Sequence, residues 1–131
     1  NRDPRLIQEN GDVKHVMLWE GGFVNFDFEI CFRSKDIRDL VGREMLAYLR
    51  SLGSFGDDMY DRMMNEVMDT YPDKALLMEA YIHAYRNHNI VARVFRWLDR
   101  KVNAKQNNRK YSKYSVARDI KRRLDERALN V

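Results

Sequence analysis

The last third of this sequence concentrates side chains that bind anions. Residues 93–123 hold twelve lysines and arginines against Asp99 and Asp119, a net charge of +10. Lys and Arg displace the counterions condensed on a polyphosphate, so such a segment suits salt-dependent contact with nucleic acid, DNA or RNA. The predicted phosphate contacts are Arg109, Lys110, Lys113, Arg118, Lys121, Arg122 and Arg123. Tyr111 and Tyr114 interleave with them. Exposed tyrosine rings beside cations can stack on unpaired bases, worth about 1–3 kcal/mol per base. The bland alternative is a solvated helical face, some of whose charges pair at i, i+4. Such a density of positive charge exceeds what solubility requires.

The rest of the chain is acidic. Residues 1–92 carry a net −5 and residues 124–131 a net −1, which leaves the whole chain at +4. A basic segment after an acidic body allows a second function class. The same cations can meet the acidic surface of a protein partner or of a neighbouring copy, making an adaptor or a self-assembling protein.

Other candidates are weaker. Only Asn87-His88-Asn89 separates two predicted helices, and the later one displays Arg93, Arg96 and Arg100, as a helix-turn-helix would. The usual turn glycine is absent, and Trp97 among the arginines can equally cover a core edge. Glu79 and His83 share a helical face, with His88 five residues on, but no third ligand is evident. His15 is expected as a semi-buried imidazole, and Cys31 as a structural thiol. Asp57, Asp58 and Asp61 suit a helix start, where acids complement the dipole. Gly21-Gly22 lacks the Gly-Lys-Ser/Thr of a phosphate loop. Four methionines on one stretch (Met59, Met63, Met64, Met68) read as core, though Met59 and Met64 cannot share one buried stripe. No metal, cofactor or catalysis is expected.

These groups need a scaffold, and hydrophobic periodicity outlines it. Val13–Glu20 and Phe23–Phe32 alternate around Gly21-Gly22, a pair suited to a tight hairpin turn. That turn would set Trp19 opposite Val24, Met17 opposite Phe26, His15 opposite Phe28 and Val13 opposite Ile30. Lys14 would face Glu29. The apolar side of such a hairpin must rest on helices. Ile37, Leu40, Val41, Met45, Tyr48, Leu49 and Leu52 recur at helical spacing between a cap at Asp36 and a stop at Gly53. A second helix follows Asp57, with Tyr60, Met63, Met64, Val67, Met68 and Tyr71 inward. Pro72 can open the third, which carries Leu76, Leu77, Ala80, Tyr81, Ala84 and Tyr85. A fourth has Ile90, Val91, Val94, Phe95, Leu98 and Val102 on one face. Residues 103–110 read as a basic loop, and a last helix runs from Val116 to about Leu129.

The predicted fold class is therefore α+β and mainly helical: an N-terminal β-hairpin packed on a helical bundle, then a basic C-terminal helix. Its parts are a polar arm (1–12), a hairpin and helical core (13–103), and the basic loop with the C-terminal helix (104–131). At 131 residues with 44% hydrophobic and 34% charged residues, the chain is one globular domain and not a disordered one. One cysteine excludes an internal disulfide, and nothing apolar follows Asn1-Arg2-Asp3-Pro4 to act as a signal peptide. An intracellular setting is expected, cytoplasmic or nuclear. Membrane binding ranks last, because the basic helix has only a thin apolar stripe of Val116, Ile120, Leu124 and Ala128.

Overall fold

The computed structural model describes residues 12–25, 36–105 and 111–129. They form a mainly helical α+β fold. An antiparallel hairpin of β1 (Val16–Trp19) and β2 (Gly22–Asn25) precedes five helices. These are α1 (Ile37–Ser51), α2 (Asp57–Thr70), α3 (Lys74–Tyr85), α4 (Ile90–Lys105) and α5 (Lys113–Ala128). Among the described residues no helix is long and apolar enough to cross a membrane.

Side-chain caps set most of the helix starts. The Asp36 carboxylate accepts from the Asp39 amide (3.2 Å), Asp73 from Ala75 and Leu76 (3.0 and 3.2 Å), and Ser112 from Ser115 (3.0 Å). The Asn89 side-chain oxygen accepts from the Ala92 amide (2.7 Å) at the start of α4. Each oxygen satisfies an amide that the helix leaves without a partner. Pro72 sits one residue before the Asp73 cap, not at the first helical position. α1 ends at Ser51 and runs into a 3₁₀ turn, Leu52–Phe55. The left-handed residue that closes this turn is Gly56 (φ 88°), and α2 starts immediately after it.

The core lies between α1, α2, α3 and α5. Leu46 and Leu49 of α1 meet Tyr60, Met64 and Met68 of α2, Leu77, Ala80 and Ala84 of α3, and Val116, Ala117 and Ile120 of α5. Burying each large aliphatic side chain stabilises the fold by about 1.5–3 kcal/mol. α5 thus contributes three fully buried residues to the main core: Val116 and Ile120 of the expected stripe, with Ala117 beside them, while Leu124 is partly buried and Ala128 exposed. It begins at Lys113, three residues before the expected start. Met64 is buried and Met59 exposed, so the two methionines do part company. α1 and α3 make the most extensive helix contact. At Gly42 they approach so closely that an added Cβ would lie 2.5 Å from the Glu79 carbonyl oxygen.

The hairpin differs from expectation in register. Trp19 faces Gly22, Leu18 faces Phe23, Met17 faces Val24 and Val16 faces Asn25. The turn is Glu20-Gly21, with both residues at positive φ (47° and 81°). Two positive φ values are what a twisted two-residue hairpin turn requires. Glu20 holds its left-handed conformation at a cost of about 1–2 kcal/mol relative to glycine. The shift is two residues, so each strand keeps the face it was expected to show. Val13–His15 form a 3₁₀ turn instead of strand, and His15 is buried there. This turn touches α1, whereas Leu18, Trp19 and Phe23 of the strands stay exposed, Phe23 at 82%. Lys14 pairs with Asp12 (3.5 Å). Phe26, Phe28, Glu29, Ile30 and Cys31 lie outside the described residues.

Candidate functional site

The cations of α5 are mostly engaged by their own chain. Arg118 pairs with Asp99 of α4 (3.2 Å). Lys121 pairs with Asp125 (2.5 Å), and Arg122 with Asp119 and Glu126 (2.5 and 2.7 Å). Those carboxylates hold the Lys121 ammonium and the Arg122 guanidinium above their ordinary pKa values, mainly through side-chain hydrogen bonds. Arg123 is buried. It binds Asp61 of α2, Asp119 (2.9 Å) and the Asn65 side-chain oxygen (2.7 Å). Arg127 reaches Asp69 of α2 (2.6 Å) and holds that carboxyl below its usual range. Of the six cations in α5, only Lys113 has no carboxylate partner among the described residues.

The two predicted stacking rings also face inward. Tyr111 packs 4.5 Å from the Tyr60 ring, donates its hydroxyl to Asp57, and covers Gly53, where a Cβ would strike its ring. Burial and the Asp119 charge push the Tyr60 phenol far above its ordinary pKa. Tyr114 lies 5.7 Å from Tyr85, edge to face. Arg109 and Lys110 lie outside the described residues. Among the described residues, Arg123, Tyr111 and Tyr114 are therefore turned into the fold, and Arg118, Lys121 and Arg122 are paired with acids of the chain. Arg118, Lys121 and Arg122 line a shallow cleft of about 390 Å³ with Tyr81, Asp125, Glu126 and Leu129, and every cation in it is already paired.

The remaining candidates are held locally. His83 Nδ1 lies 2.7 Å from Asp39, and Glu79 pairs with Arg38 (3.4 Å). Among the described residues no three potential ligands converge on a metal position. Asp57 and Asp58 occupy the first turn of α2, as expected. Arg86 of the connection after α3 joins Asp36 (2.7 Å) and Asp39 (2.9 Å), and its hydrogen bond holds the Asp36 carboxyl below its usual range.

The unexpected feature is α4. Its apolar residues share one side, as the sequence indicates, but that side points outward. Ile90, Val91, Val94, Phe95, Trp97, Leu98 and Val102 are 42–77% exposed. The residues of α4 turned toward the body are Ala92, Arg96 and Asp99, which are partly buried, with Asp99 bound to Arg118. A helix this amphipathic normally buries its apolar stripe. Here the polar side docks on α5 and the apolar side meets water. Arg93 and Arg100 have no carboxylate partner among the described residues, and Lys101 sits 5.0 Å from the Trp97 ring.

α2 and α4 flank α5 on nearly opposite sides. Arg118 faces α4, whereas Arg123 and Arg127 face α2. At 3.6 residues per turn, those positions stand roughly 140° and 180° from Arg118 around the helix. α2 holds five acids and one arginine; α4 holds five cations and one acid. Comparison with protein-family models, curated sequences and solved structures finds no match to this chain.

Proposed function

We propose that this chain is a non-enzymatic interaction domain that assembles head to tail, the apolar and basic face of α4 seating on the acidic α2 side of a second copy. The observation that carries this reading is the outward apolar stripe of α4. Exposed apolar patches of this kind, rimmed by charge, mark protein contact sites. Charge selects the occupant. α2 presents exposed Asp58 and Glu66 beside exposed Met59, and neither acid has an ion-pair partner among the described residues. Cations beside an apolar stripe on one face and acids beside apolar atoms on the other make a heterologous contact.

A charge-swap experiment tests it, with mass in solution read by light scattering at low salt. The wild-type chain is expected to gain mass with concentration. Leu98→Asp, the pair Arg93→Glu with Arg100→Glu, and the pair Asp58→Lys with Glu66→Lys should each abolish that gain. Mixing the two charge-reversed forms in equal amounts should restore the gain, because both junctions of an alternating assembly are again charge-matched. A wild-type chain that stays monomeric at every concentration overturns the reading. The nucleic-acid reading keeps one supporting observation, the cations around Lys113.

A further inference from the structure

We propose that Arg50, Arg96 and Lys113 form a binding site for a phosphate group, with Arg43 at its rim. Three helices bring these cations together from distant parts of the chain. Arg50 Nε donates to the Tyr111 carbonyl (3.4 Å), two residues before Lys113. Lys113 Nζ lies 5.4 Å from the Tyr114 ring, and Arg96 lies 5.5 Å from the Tyr85 ring. Those rings touch edge to face, so cations from α4 and α5 bracket an aromatic pair while α1 supplies the third. Arg96 is further fixed by its bond to the Asn87 carbonyl (2.9 Å).

None of the three has a carboxylate partner among the described residues, unlike the cations farther along α5. The acid that acts on Lys113 is Asp39, which is already committed to His83 and Arg86. Arg38 is directed to Glu79. Lys113 is half-buried, and desolvation together with Arg50, Arg43 and Arg96 depresses its pKa. Like charges held this close raise the energy of the fold, and a dianion between them would lower it. Guanidinium forks match the oxygens of a phosphate, and a lysine adds a point charge. The shared chemistry is the phosphate group, from a free phosphate or nucleotide, or from a nucleic-acid backbone.

The test uses the full chain with inorganic phosphate, then a single-stranded oligonucleotide, each by calorimetry and by thermal melting. Phosphate is expected to raise the melting temperature of the wild type, since a ligand that binds only the native state stabilises it. Lys113→Gln and Arg96→Gln should each weaken phosphate by about tenfold, whereas Arg100→Gln, an equal loss of charge elsewhere on α4, should stay within about twofold. The melting curve of each variant without ligand shows that it is folded. Leu98→Asp should keep phosphate affinity, which separates this site from the assembly reading. If the oligonucleotide binds more tightly than phosphate through the same residues, the backbone is the source; if it binds no better, a small phosphate is. Absence of any response to phosphate, or equal weakening by all three charge removals, overturns the proposal.

Discussion

Arg123→Met is expected to lower folding stability by about 3–5 kcal/mol, the usual cost of breaking a buried ion pair from one side. Arg123 is only 4% exposed, yet it carries a full charge. It is tolerated because Asp61, Asp119 and Asn65 surround its guanidinium. Methionine keeps the aliphatic stem and removes the donors, which leaves the largely shielded Asp119 to Arg122 and the Tyr60 hydroxyl. Those remaining partners place the loss toward the lower end of the range. Lys121→Met is the comparison. Its pair with Asp125 lies along an exposed helix face, and such pairs contribute about 0.2–1 kcal/mol. Urea denaturation followed by circular dichroism resolves the difference. A loss below about 1 kcal/mol at Arg123 would mean that α5 is not tied to α2 through this residue.

Gly42→Ala should also destabilise the fold, against the local preference of the helix. Alanine is favoured over glycine inside a helix by about 1 kcal/mol. At Gly42, however, the new methyl would sit 2.5 Å from the Glu79 carbonyl oxygen and 2.7 Å from its carbon. These are backbone atoms, so no side chain can rotate out of the way. α1 and α3 must separate, and overpacking of this kind costs about 1–3 kcal/mol. Gly42→Val should be worse and should loosen the Arg38–Glu79 pair. The check is thermal melting of both variants. If Gly42→Ala melts above the wild type, the helices do not approach closely there.

The two sites show what a sequence can and cannot reveal. Capping at Asp36 and the buried stripes of α1, α2 and α3 depend on residues within a turn or two of each other, and they are legible. So are Lys121–Asp125 and Arg122–Glu126, which lie at i, i+4. Arg123 has one such local partner, Asp119, but the other acids that engage Arg118, Arg123 and Arg127 come from α4 and α2, up to 62 residues away, and no local spacing announces them. Periodicity locates the apolar side of α4 but does not say whether that side faces the core or water. The hairpin alternation fixes faces, yet a two-residue slip preserves them, so alternation cannot choose the register. Arg43 and Arg50 stand seven residues apart on one side of α1, a signal present in the sequence. Only the packing of α1 near the start of α5 gives it meaning.

Both tryptophans of the chain stand in water, Trp19 on the hairpin at 60% and Trp97 on α4 at 56%. Indole emission in the native state should therefore already resemble that of a free indole, and denaturant will move the spectrum little. Loss of solvent around Trp97 has the opposite effect, a shift to the blue. The chain carries an optical probe that is nearly silent to unfolding and sensitive to whatever covers α4.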